Sequence, residues 1–149
     1  MGTIKTFRDL IIWQKSMHLV TQIYWASGNF PKPEFYGLIS QLRRSAVSIP
    51  NNIAQGYGRR SAGDYVRFLQ IFVGSLYELQ IQLEIARKLE YLTEFEFNCL
   101  YENTREIERM LLSLVIKIRS GSCFCHSALV PNSKRAFVPF SPYFQYNKQ

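Results

Sequence analysis

Acidic and imidazole side chains are scarce in this chain. Its 149 residues hold two aspartates, Asp9 and Asp64, and two histidines, His18 and His126. Both aspartates stand where helix caps are expected, and no serine or cysteine sits in a recognisable nucleophile setting. The chain therefore reads as a non-enzyme with no catalytic residues. No apolar run approaches the roughly 18 residues of a membrane span, and "MGTIKTFRDL" lacks the charged-then-apolar order of a signal peptide. These absences predict a cytoplasmic protein without a membrane partner. Cysteine occurs three times, at Cys99, Cys123 and Cys125, an odd count without a framework of spacings, which predicts free thiols in a reducing compartment. "CFCH" at 123–126 offers two thiolates and an imidazole, but structural zinc takes four ligands and both zinc and c-type haem motifs space their cysteines more widely. Neither a metal nor a cofactor is expected.

What the chain has in quantity is apolar surface and positive charge. Hydrophobic residues make up 47% and aromatics 15%, enough for one packed core in a chain of single-domain length. The formal net charge is +7, which favours anionic partners such as nucleic acid or an acidic protein face. Lys134, Arg135 and Lys148 stand without an acid in 121–149, leaving +4 of that charge on residues 1–120.

The hydrophobic pattern is helical throughout. Thr6 with Asp9 forms a capping box, after which Leu10, Trp13, Met17, Val20 and Tyr24 recur at spacings of three and four. This predicts a helix ending near Gly28. Past the proline-marked turn "NFPKPEFY", Phe35, Leu38, Leu42, Ala46, Ile49 and Ile53 trace a second stripe to the glycines at 56 and 58, with a bend expected at Pro50. Ser61 and Asp64 cap a third helix with Tyr65, Phe68, Phe72, Leu76, Leu79, Leu83 and Ala86 inward, reaching Glu90. Thr93 and Glu96 cap a fourth, in which Phe97, Leu100, Thr104, Ile107, Leu111, Leu114 and Ile118 keep a heptad rhythm to about Ser120. Four amphipathic helices with short connections predict an all-α, antiparallel up-down four-helix bundle over residues 1–120. Residues 121–149 change composition abruptly, with three prolines, six Phe or Tyr and no acid, and predict a non-helical, aromatic-rich C-terminal extension.

The stripes are wider than one bundle seam needs. Ile12, Leu19 and Ile23 on the first helix and Leu69, Val73 and Ile81 on the third imply a second contact surface, most simply a subunit interface. Ser45 and Ala46 beside Pro50, and Gly74 in the middle of "FVGSLYEL", are small enough for another backbone to close on them. Ser45, Ala46, Pro50 and Gly74 are the expected oligomer interface.

The stretch "RRSAVSIPNNIAQGYGRRS" concentrates the charge. "GYGRRS" is no dinucleotide fingerprint, because Ser61 stands where a third glycine is required and a helix, not a strand, precedes it. Its glycines suit a helix C-terminus in the left-handed conformation. Arg43, Arg44, Arg59, Arg60 and Arg67 lie within 25 residues with one acid, Asp64, among them. Clustered guanidinium groups are the footprint of phosphate-backbone contacts, against the plainer reading of a solvated face. Tyr57 and Tyr65 offer rings for base stacking, against the plainer reading of core tyrosines.

"FRDLIIWQKSMHLV", "FYGLISQLRRSAVSIPNNIAQGYGRRS" and "FLQIFVGSLYELQIQLEIARKL" together resemble the four-helix-bundle proteins encoded in 23S ribosomal RNA intervening sequences, over residues 7–119. That family is similar in fold to the accessory variability protein of diversity-generating retroelements, a barrel-shaped homopentamer that binds nucleic acid and associates with a reverse transcriptase. The resemblance implies a homopentameric, non-catalytic scaffold binding RNA or DNA, or alternatively a protein-interaction hub serving a reverse transcriptase. Gln55 departs from the family's usual "NIAEG", and residues 121–149 have no counterpart in it.

Overall fold

In the computed structural model, which describes residues 5–59 and 62–119, the backbone N–H groups of Lys5 and Thr6 both donate to Asp9 Oδ2 at 2.8 Å. They cap a 3-10 turn, Phe7–Asp9, one residue before the first helix begins. Four α-helices follow: α1, Ile11–Ser27; α2, Leu38–Tyr57; α3, Ala62–Lys88; and α4, Glu94–Arg119. No strand occurs among the described residues. The extension at 121–149, Ser61 of the third cap, Arg60, Cys123, Cys125 and His126 lie outside them.

Neighbouring helices pack as α1 on α2, α2 on α3, α3 on α4 and α4 on α1, the α2–α3 contact being the most extensive. Core positions come from every helix, with Ile23, Leu42, Ile49, Phe72, Leu79 and Ile107 almost wholly removed from water. Each such side chain contributes about 1.5–3 kcal/mol by its burial. The stripes read for α2, α3 and α4 are largely the buried ones, although Phe35 precedes α2 in a 3-10 turn, Lys32–Phe35, and is exposed. Pro50 is buried and does not end α2.

On α1 the buried face is turned from the expected one. Ile12, Leu19 and Ile23, read as surplus, are core; of the expected stripe Leu10 is core, Trp13 and Val20 pack at its edge, and Met17 and Tyr24 are exposed. Two polar residues disguise the true face. Ser16 is buried with its hydroxyl donated to the Ile12 carbonyl at 2.7 Å, and buried Gln22 accepts from Asn103 Nδ2 at 2.8 Å. Once its polar atoms are satisfied a buried Ser or Gln costs little, so polarity alone does not turn a face outward. On α3, Leu69 is likewise core, Val73 packs at its edge and Ile81 is exposed.

Helix ends also depart from the sequence reading. Gly58 follows α2 with φ −75°, an ordinary right-handed conformation, and Gly56 lies inside the helix. Gly56 serves proximity instead: a Cβ there would lie 2.6 Å from Tyr65 Cδ2 and 3.3 Å from Phe68 Cβ. The left-handed stop belongs to Glu90, with φ 58°, beyond α3. There the Tyr91 N–H donates to the Ala86 carbonyl and the Glu90 N–H to that of Arg87, both at 2.9 Å, the bonding of a Schellman cap. The Thr93 and Glu96 box before α4 is complete: Thr93 N–H donates to Glu96 Oε2 at 2.9 Å and Glu96 N–H to Thr93 Oγ1 at 3.2 Å. No described helix is long and apolar enough to cross a membrane.

Candidate nucleic-acid interface

The α2–α3 seam is built from small and polar residues. Ser45 Oγ meets Gln82 Oε1 at 2.7 Å, and Ser48 Oγ meets Ser75 Oγ at 2.8 Å. Ser45, Ala46 and Pro50 are buried in their own chain. Ser45 meets α3 of the same chain through Gln82. Gly74 is different: it is exposed and a Cβ built on it meets nothing within 4 Å.

Outside this seam, α2 forms the floor of an open cleft of about 820 Å³. Its walls are Tyr24 from α1, Phe35 and Tyr36 from the turn before α2, and Ile71 from α3; α2 itself presents Arg43, Arg44, Asn51 and Gln55. None of the described residues that line it is acidic. Gln55, where the family resemblance leads to an acid, contributes a neutral amide.

The two cleft arginines are held differently. Arg43 donates Nε–H to Ser27 Oγ at 2.9 Å and stacks its guanidinium 4.6 Å from the Tyr24 ring centre. It thereby clamps the C-terminal turn of α1, where a cation also meets the negative end of the helix dipole. A guanidinium has five N–H donors, so most remain for another acceptor. Arg44 crosses the seam to Glu78 at 2.9 Å, with both side chains substantially exposed. Such a pair contributes only about 0–1 kcal/mol, so Arg44 can exchange Glu78 for a phosphate at small cost.

The other described arginines of the set, Arg59 and Arg67, do not line the cleft. Arg59 follows the C-terminus of α2, stacked 4.9 Å over Phe68, and stands sixteen residues beyond Arg43, about 24 Å along the helix direction. Arg67 is exposed on α3. The basic residues thus extend along α2 and past its end. Tyr57 and Tyr65 are not a stacking platform: both are half-buried and pack against the core. Burial pushes the Tyr65 phenol up to about 12, with the neighbouring Tyr57 adding repulsion. The exposed rings of the site, Tyr24, Phe35 and Tyr36, were missed because Tyr24 lies on the part of the expected α1 stripe that is turned outward, and Phe35 and Tyr36 lie in a turn. Cys99 is a free thiol, raised by burial, and the described residues hold no cluster of three or more potential metal ligands. His18 on α1 is half-buried.

The model of the 23S rRNA-intervening sequence proteins matches residues 8–113. The chain belongs to that family. Among solved structures it is similar to a protein of unknown function from the S23 ribosomal protein family of Bacteroides thetaiotaomicron VPI-5482, with a TM-score of 0.64 and 24% identity. The match covers 70% of this chain and 98% of that one, and at this identity the likeness speaks for the fold alone. No curated protein matches the chain. Within the family match fall all five predicted arginines and every residue lining the cleft.

Proposed function

We propose that the protein is a non-catalytic homo-oligomeric scaffold that binds RNA or DNA through the basic face of α2. The observation that carries this reading is the open cleft lined by Arg43 and by Arg44, the latter held only by an exposed pair with Glu78, in a chain of net charge +7. Phosphate contacts from Arg43, Arg44, Arg59, Arg60 and Arg67 would give affinity with little sequence preference. The bundle is taken as antiparallel and up-down. In support, Arg44 meets Glu78 while the later Ser48 meets the earlier Ser75, and Arg87 meets Glu94 while the earlier Tyr77 meets the later Glu108.

Assembly is supported by apolar surface exposed among the described residues. Ile81 and Ile85 are exposed on the α3 face that also carries Gly74, and Met17 and Trp25 are exposed on α1. A second copy is the occupant this reading assigns to the α3 face, and the resemblance to pentameric relatives favours five subunits. The same apolar face supports a second reading, in which it receives a reverse transcriptase and the protein is an interaction hub in the cytoplasm.

Salt dependence separates the two. Replacing Arg44 and Arg59 with Gln is expected to reduce the slope of log affinity against log salt by about one unit per lost phosphate contact. Sedimentation and melting should be preserved, since both side chains are exposed. Absence of binding to any nucleic acid at low salt would overturn the reading in favour of the hub.

A further inference from the structure

We propose that the α2 cleft takes single-stranded nucleic acid, with Tyr36 and Phe35 as the platform on which unpaired bases stack. This rests on the nucleic-acid reading above and narrows it to one class of ligand. Tyr36 is 90% exposed and Phe35 55% exposed, more aromatic surface than a solvated turn requires. The two rings meet edge to face, with centroids 5.2 Å apart at 84°. That geometry leaves at least one face of each ring open.

The turn that carries the two rings is preorganised. Pro31 and Pro33 restrict the turn, the Glu34 N–H donates to the Pro31 carbonyl at 2.9 Å, and the Gly37 N–H to the Glu34 carbonyl at 3.0 Å. Glu34 Oε2 accepts the Leu38 N–H at 3.1 Å, fixing the turn to the start of α2. A Cβ on Gly37 would approach that carboxylate oxygen to 2.8 Å, so glycine there keeps the cap in place. The backbone that carries the rings is therefore fixed before a ligand arrives, and the rings themselves touch each other.

The rest of the cleft matches an unpaired strand. Asn51 and Gln55 stand one helical turn apart on the exposed side of α2 and carry neutral amides, which donate and accept at base edges. Arg44, with the unused donors of Arg43, supplies phosphate contacts beside them. From Ser40 to Gln55 the floor runs for about 22 Å along the helix, room for several consecutive nucleotides. A duplex, by contrast, hides its base faces in its own stack and offers the rings nothing but phosphates and sugars.

The test compares a labelled, unstructured RNA strand of mixed sequence with a duplex of matched length at one salt concentration. The unmodified protein is expected to bind the single strand about ten-fold more tightly, and the double variant Phe35→Ala/Tyr36→Ala to lose about ten-fold in single-strand affinity, as expected for a lost base stack. Its duplex affinity should be unchanged. Tyr36→Phe keeps the ring and is expected to bind like the unmodified protein. Equal affinity for both forms, or no effect of deleting the rings while Arg44→Gln still weakens binding, overturns the single-strand inference and leaves the nucleic-acid reading standing. No binding to either form removes both.

Discussion

Replacing Gly56 with alanine sets two opposing effects against each other. Inside a helix the change favours folding by up to about 1 kcal/mol, because alanine has less backbone freedom to lose. The added Cβ, however, would lie 2.6 and 2.8 Å from two carbons of the Tyr65 ring and 3.3 Å from Phe68 Cβ. Carbon atoms pack at about 3.5–4.0 Å, so the ring must move by roughly 1 Å. Tyr65 is packed on the core and its hydroxyl is buried with no hydrogen-bond partner among the described residues, so the ring cannot swing out without opening the α2–α3 contact. Overpacking of this kind costs about 1–3 kcal/mol. The steric effect wins, and Gly56→Ala is expected to destabilise the protein by about 1–2 kcal/mol. With a urea slope of about 1–3 kcal/mol per molar, the unfolding midpoint should fall by roughly half to one molar or more. The decisive comparison is a double-mutant cycle with Tyr65→Ala, in which the ring is gone and Gly56→Ala should be neutral or stabilising. If Gly56→Ala raises the midpoint equally in both backgrounds, the ring is not what excludes a side chain at this position.

Glu90 holds φ at 58° without being glycine, so Glu90→Gly should stabilise the protein by about 1 kcal/mol; an unchanged melting temperature would show the turn to be unstrained. Tyr65, with its folded pKa raised to about 12 by burial, contributes stability that is complete below pH 10 and is lost as pH rises toward 12, because the unfolded phenol ionises first. The loss should reach up to about 2 kcal/mol relative to Tyr65→Phe, which has no such group; parallel pH profiles for the two proteins would refute it. Gly74→Leu should leave the fold of each chain intact, since nothing lies within 4 Å of the added carbon. Sedimentation should nevertheless show a changed assembly, and an unaltered one would remove Gly74 from the interface.

The sequence alone determined the local elements. Caps such as Thr93 with Glu96, proline-marked turns and apolar repeats of three and four are short-range signals, so four helices and most inward positions of α2, α3 and α4 could be read directly. Family membership was legible in the same way, through "SIPNNIAQGYGR" and its flanking stripes. What needed the tertiary structure was the choice between alternatives that local chemistry leaves equal. α1 carries two apolar faces, and only its neighbours α2 and α4, the latter offering Asn103 to Gln22, settle which turns inward. Ser45 announces a close approach without saying by which helix, and Gln82 on α3 of the same chain meets it. Gly56 looked like a helix terminator and is a seat for Tyr65. The cleft joins Tyr24, Tyr36, Arg43, Gln55 and Ile71 from four separate segments. Periodicity places each residue on its own element, but exposure and proximity belong to the packed whole, because they depend on what the other elements cover.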